Sequence, residues 1–212
     1  MADLTWTGGL PEGFELDHLK GFLKMWIPTG RLGTAIDVGS HRGVWSRELA
    51  SHFDEVIAVE ANPETYKHLV EQTTEYPNIK RYNIALGFRD AKVGTAYHGV
   101  PSNTGACHVE GSGATLMTLL DHSAWPVDFL KLDVEGMELD VLRGGRNKIE
   151  HYRPAIMVEL NGNGERFYGT SDQAVKDWLE SRGYVLILRQ NKDYFYAPSE
   201  TCNSLGRLKD GD

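Results

Sequence analysis

Cysteine is almost absent: Cys107 and Cys202 are the only two in 212 residues, far apart and outside any CxxC spacing. That excludes a disulfide framework and a cysteine-based zinc site, and it suits a reducing compartment. Apolar runs are short, VIAV at 56–59 being typical, and fall well below the roughly 20 residues that cross a bilayer. The opening residues lack the charged-then-apolar pattern of a secretory signal, so the expected location is the cytoplasm, with no membrane partner. Basic charge is scarce as well. With 22 Lys and Arg against 30 Asp and Glu, the formal net charge is −8, and no basic run is available to track a phosphate backbone. Nucleic acid is therefore excluded as an expected partner. Repeats and low-complexity tracts are also missing, so the order of elements carries the information.

What is present is an ordinary globular composition, 41% hydrophobic and 25% charged. This predicts one domain over residues 1–212, with a helical extension at 1–30 and a core at 34–198. Residues 14–27 place apolar side chains at helical spacing and stop before Pro28. TAIDVGS (34–40) reads as a strand reaching a glycine, and VWSRELASHF as the helix after it. The plan repeats: a strand at 55–60, then a helix opened by Asn62-Pro63. A third strand is predicted at 79–86, followed by a Gly- and Ser-rich irregular insertion over 87–115. VDFLKLDV (127–134) reads as a buried strand and 136–152 as a helix broken near Gly144-Gly145. Strand 155–160, loop 161–169, a helix at 171–183 with Ser171 as its cap, and two close strands complete the chain. Strands alternating with helices, and lacking strict polar alternation, predict an α/β fold: a mostly parallel sheet covered on both faces and closed by an antiparallel hairpin.

In such folds ligands bind beyond the carboxyl ends of the strands, where strand order reverses. The turn from Asp37 to Gly43 is the first candidate, because Gly39 and Gly43 can adopt positive φ and admit a ligand to the backbone, with Ser40 and His41 between them. Glu60 is the second. It ends the next strand 21 residues after Gly39, where a carboxylate is placed to accept both hydroxyls of a ribose. Ala61 and Asn62 follow it, and Asn83 with Ile84 near the third strand's end is a candidate for an adenine edge. Asp133 and Glu159 end later strands and so face the same cleft. Glu135 and Glu138 lie near a helix start, where negative charge is favoured by roughly 0.3–1 kcal/mol.

The segments AIDVGSHRG, VIAVEANP, YNIALG, TLMTLLDH, VDFLKLDVEGMELDVLRGG and RPAIMVEL resemble, in order and spacing, the FkbM family of S-adenosylmethionine-dependent methyltransferases. The resemblance implies a class I methyltransferase (Rossmann-like) fold with a seven-stranded sheet. It implies S-adenosylmethionine as cofactor, with Asp37, Gly39, Ser40, His41 and Gly43 as its turn. Glu60, Ala61 and Asn62 would be the ribose segment, and Asn83 and Ile84 the adenine side. Ser40-His41 stands where the family usually carries Ala-Asn.

Methyl transfer to an alcohol needs a lone pair in line with the methyl and a place for the hydroxyl proton. Asp133 is the expected base, with Glu159 and Glu135 as the other catalytic candidates. The alternative use of Asp133 and Glu159 is to hold a Mg²⁺ that acidifies the hydroxyl. The expected activity is O-methylation of a saccharide or other small-molecule hydroxyl. Two other readings share the strand-end turns. An NAD-dependent oxidoreductase is disfavoured by His41, which stands where the dinucleotide fingerprint needs a glycine. A non-catalytic nucleotide-binding module is disfavoured by the carboxylates at 133 and 159. Phe167, Tyr168 and Trp125 are candidates to stack on a sugar ring or to pack the core. Acceptor identity and oligomeric state leave no mark in the sequence.

Overall fold

The structure is a computed structural model that describes residues 32–88, 94–97, 107–110, 114–115 and 127–201. The 1–30 helix, Trp125, Cys202 and most of the TLMTLLDH segment lie outside the described residues. Seven strands form the central sheet: β1 (Leu32–Val38), β2 (Phe53–Val59), β3 (Ile79–Tyr82), β8 (Val127–Leu132), β9 (Ala155–Glu159), β10 (Tyr184–Gln190) and β11 (Asp193–Pro198). Their order is β10-β11-β9-β8-β1-β2-β3. All pairings from β3 across to β9 are parallel, whereas β11 runs antiparallel to both β9 and β10. The closing hairpin thus inserts its second strand beside β9 and leaves β10 at the edge. Small satellite pairs, β4 (Leu86–Gly87) with β7 (Ala114–Thr115) and β5 (Gly94–Tyr97) with β6 (Cys107–Glu110), occupy the insertion predicted to be irregular.

Six helices cover the sheet among the described residues: α1 (Val44–Ala50), α2 (Pro63–Gln72), α3 (Glu138–Gly144), α4 (Arg146–Tyr152), α5 (Asn163–Tyr168) and α6 (Asp172–Glu180). Successive strand residues point to opposite faces, and here both faces are dry. Ile36, Val38, Leu130, Leu132, Ile156 and Val158 pack on one side with Leu139 and Leu142 of α3 and Val175 and Leu179 of α6. Ala35, Val56, Ala58 and Phe129 pack on the other with Trp45 and Leu49 of α1 and Leu69 of α2. Each fully buried Leu, Ile or Phe contributes roughly 1.5–3 kcal/mol. Two-sided burial is why the strands read as apolar runs rather than as alternating ones.

Local chemistry sets the ends of the helices. The Asn62 side chain accepts from the backbone N–H groups of Glu64 (2.9 Å) and Thr65 (3.3 Å), and Pro63 fills the first turn of α2. Ser171 caps α6 through the N–H of Ala174 at 3.2 Å. The break between α3 and α4 falls at Gly145. Two expectations need correction. The third strand stops at Tyr82 rather than 86, because the Asn83 amide turns to the carbonyls of Glu60 (2.8 Å) and Ala61 (3.3 Å) and ends the pairing with β2. The expected loop at 161–169 contains α5, flanked by Gly162 and Gly169, both at positive φ.

Strand order reverses at β1, whose chain neighbours lie toward β2 and whose other partner is β8. The tip of β1 is therefore the switch point. Gly39 sits there at φ +78°, and a Cβ on it would lie 1.7 Å from the Asp133 carbonyl oxygen. Both the left-handed backbone and the contact demand glycine. Gly39→Ala is expected to lower unfolding free energy by about 3 kcal/mol or more, from a strained φ plus overpacking against backbone. Gly169→Ala, at φ +67° with open space around it, should cost only about 1 kcal/mol; urea unfolding of the two variants checks the contrast.

Candidate functional site

Four strand tips converge at the switch point, and a buried lysine ties two of them together. Lys131 is 2% exposed inside β8, and its ammonium lies 3.1 Å from Asp37 Oδ1 on β1 and 3.6 Å from Asp133 Oδ2 just beyond β8. It also donates to the Gly39 carbonyl at 3.3 Å. Asp37, fully buried, takes a second hydrogen bond from the Ser46 hydroxyl at 2.5 Å. Burial alone would lower the Lys131 pKa, but the charges of Asp37, Asp133 and Glu159 outweigh it and hold it above the usual lysine range. The lysine is thus a permanent cation.

The turn after β1 is packed closely by its neighbours. Gly39 and Gly43 do take positive φ, but the room a side chain would fill is already occupied by protein. The Asp133 carbonyl fills it at Gly39, and Leu69 and Thr73 fill it at Gly43. These glycines let neighbouring segments of the chain approach closely. The backbone donors of the turn are also engaged. Gly39 and Ser40 N–H both reach the Val59 carbonyl (2.9 and 3.0 Å), and the His41 N–H donates to Glu60 Oε2 at 2.9 Å. The Ser40 hydroxyl donates back to the Asp37 carbonyl at 2.7 Å.

Glu60 stands immediately beyond β2, almost wholly buried. Its second oxygen accepts the Asn62 N–H at 2.8 Å. Burial raises its pKa to about 7, partly offset by the hydrogen bonds from Asn62 and His41. A carboxylate oxygen has two lone pairs, so one backbone donor on each leaves a matched pair of acceptor positions. That arrangement fits the adjacent hydroxyls of a ribose. The His41 imidazole is lowered to about 4, first by burial and then by the Arg42 charge, against a raising pull from Asp133. It is neutral at physiological pH. Asn62 is a helix cap, and Asn83 spends its amide nitrogen on the Glu60 and Ala61 carbonyls beside half-buried Ile84.

On the other side of the switch point stand the three catalytic candidates. The Asp133 side chain is 33% exposed and lies beside Glu159, which ends β9. The Asp133 charge, then burial, push the Glu159 carboxyl well above the carboxylate range. Glu135 takes φ +53°, unusual for a non-glycine residue, and its Oε2 accepts the side-chain amides of Asn161 (3.1 Å) and Asn163. Burial and Asp133 raise it as well. Glu138 is separate from this group. Buried at the start of α3, its Oε1 accepts the N–H groups of Gly136 (3.0 Å) and Val134 (3.4 Å). It shapes the turn, as its helix-start position suggests. Half-buried Tyr168 packs toward Ala85 and Met137, and its ring meets Phe167 edge-on.

The Mg²⁺ alternative finds no ligand set. Among the described residues no three His, Cys, Asp or Glu side chains are grouped to hold a metal ion, and the ammonium beside Asp133 already supplies positive charge. Sequence reasoning missed Lys131, Asn161 and Asn163. The first was detectable, since a lysine inside an otherwise apolar strand must have an acidic partner. The asparagines carry no comparable signal.

Residues 37–186 match the sequence profile of the Methyltransferase FkbM domain. No curated protein sequence matches the chain. Among solved structures, the FkbM methyltransferase of Methylobacillus flagellatus KT superposes at TM-score 0.55 with 18% identity over 80% of this chain. This chain spans only 45% of that protein. The Streptococcus mutans protein SMU.1697c, solved with S-adenosylhomocysteine (SAH), gives TM-score 0.53 and 12% identity over 89% of this chain and 97% of its own. An rRNA methylase from Streptococcus thermophilus gives 0.50 and 13% over 90% and 96%. These likenesses establish the class I methyltransferase fold.

Glu138 has a pH signature. Burial raises its folded pKa to about 7, from an ordinary value near 4.5. Its stabilising contribution is complete below about pH 4.5 and is lost as pH rises through 7, because the unfolded chain releases the proton first. Glu138→Gln, with an oxygen still able to accept from Gly136, should remove on the order of 2 kcal/mol of that decline. Urea unfolding of both proteins at pH 5 and pH 8 tests this, and equal declines would contradict it.

Proposed function

The chain belongs to the FkbM methyltransferase family, and on that premise we propose that it transfers a methyl group from S-adenosylmethionine to a hydroxyl oxygen of a sugar or other small molecule. The observation that carries this reading is the pairing of a ribose-type acid, Glu60, on one side of the β1 tip with Asp133, flanked by Lys131 and Glu159, on the other. When bound, the cofactor supplies a methyl group made electrophilic by its sulfonium.

Glu60 would hold the ribose hydroxyls with the lone pairs left by His41 and Asn62, and the segment at Asn83-Ile84 would border the adenine. Asp133 orients the acceptor hydroxyl and takes its proton as the oxygen attacks, a role that contributes typically about 10²–10⁴-fold in rate. Glu159, beside Asp133, borders the same mouth, its carboxyl pushed upward by the Asp133 charge. Glu135, clamped by Asn161 and Asn163, borders the same mouth and offers a further acceptor to a polyhydroxylated substrate. The clustering of Asp133, Glu135 and Glu159 disfavours an anionic acceptor by repulsion. That leaves neutral hydroxyl compounds such as sugars as the fitting class.

Titration calorimetry with S-adenosylmethionine, SAH and NAD tests the cofactor, and transfer of a tritiated methyl to a panel of methyl glycosides tests the acceptor. Glu60→Ala is expected to weaken SAH binding at least tenfold; undiminished affinity would refute the ribose role. Asp133→Asn is expected to slow transfer by 10²-fold or more with SAH affinity within about threefold of wild type. Unchanged turnover would remove Asp133 as the base.

A further inference from the structure

A lysine buried solely to neutralise Asp37 would need one partner, and Lys131 has three. Its ammonium bonds the Asp37 carboxylate (3.1 Å) and the Gly39 carbonyl (3.3 Å), and it reaches Asp133 Oδ2 at 3.6 Å. Asp37 and Gly39 belong to the turn after β1, whereas Asp133 belongs to the tip of β8. Their backbones already meet, since the Asp133 N–H donates to the Val38 carbonyl at 3.0 Å and the Asp133 carbonyl fills the side-chain space of Gly39. The Asp133 side chain, however, is one-third exposed and has no such backbone constraint. Among the described residues, Lys131 and Glu159 stand beside the carboxylate and orient it.

We propose that Lys131 is a positioning residue: it draws the Asp133 carboxylate against the cofactor turn and so fixes it toward the sulfonium side of the bound cofactor. The inference rests on the reading of the site given above. It makes a distinctive demand on cofactor binding. S-adenosylmethionine carries a positive sulfur and SAH a neutral one, so a carboxylate fixed toward that atom favours the first over the second. By charge alone, removing a nearby cation should strengthen that preference. If Lys131 acts by positioning, its removal should weaken the preference instead, because Asp133 is released.

The test is calorimetry of wild type, Lys131→Gln and Asp133→Asn with S-adenosylmethionine and SAH, reading the ratio of the two affinities. Asp133→Asn should lower the preference for S-adenosylmethionine about three- to tenfold. Lys131→Gln should lower it in the same direction, with SAH affinity nearly kept, and the double variant should show little further loss. A ratio that rises or stays level in Lys131→Gln overturns the proposal. Should that variant not fold, Asp37→Asn combined with Lys131→Met removes both buried charges together, and the same ratio is read with and without Asp133→Asn. A level ratio in Asp133→Asn alone refutes instead the placement of Asp133 beside the sulfonium. A wild type that binds neither compound refutes the methyltransferase reading itself, and the proposal falls with either.

Discussion

The ion pair between Lys131 and Asp37 is the constraint on which the site is built. Both side chains are buried at adjacent tips of the sheet, and removing either partner from such a pair typically costs about 3–5 kcal/mol by stranding a charge. The pair does not by itself imply extra stability, since apolar replacements of equal shape are often as good. Its value is geometric. Lys131 meets Asp37, Gly39 and Asp133 only if β1 and β8 are in one register, with Ile36 opposite Leu130 and Val38 opposite Leu132. Ser46 extends the arrangement into α1, so strand tips and helix are fixed together.

From that junction the two halves of the site have opposite characters. On the β2 side, backbone N–H groups of His41 and Asn62 support a single acid, Glu60, and its raised pKa reflects burial first, with a smaller push from Asp133. On the β8 and β9 side, Asp133, Glu135 and Glu159 crowd together, and mutual repulsion is the leading influence at Glu159. The buried Lys131 ammonium makes that crowd tolerable. Amides of Asn161, in the turn before α5, and Asn163, the first residue of α5, relieve Glu135. Gly136 makes this possible, because a Cβ there would lie 2.7 Å from the backbone of Asn163 and Gly164.

Much of this was legible in the residues. The strand-helix rhythm, the cap at Asn62, the cap at Ser171 and the break at Gly145 all follow from local chemistry that operates within a few residues. Positive φ at Gly39 and Gly43 was legible too, but its purpose was not, since the atoms that demand glycine belong to Asp133, Leu69 and Thr73. Similarly, the early end of β3 depends on an amide of Asn83 finding carbonyls 22 and 23 residues earlier. No periodicity marks such a contact.

The sequence by itself determined which residues stand at strand ends, because hydrophobic runs and turn residues fix where each strand stops. It thereby nominated Glu60, Asp133 and Glu159, and the order of motifs identified the family. Only the tertiary structure decided which of these acids stand together, which cation lies beside them, and that Asn161 and Asn163 belong with Glu135. Those outcomes depend on distances between side chains far apart in the chain. Electrostatic energy in a buried site varies with such distances far more steeply than any sequence pattern records.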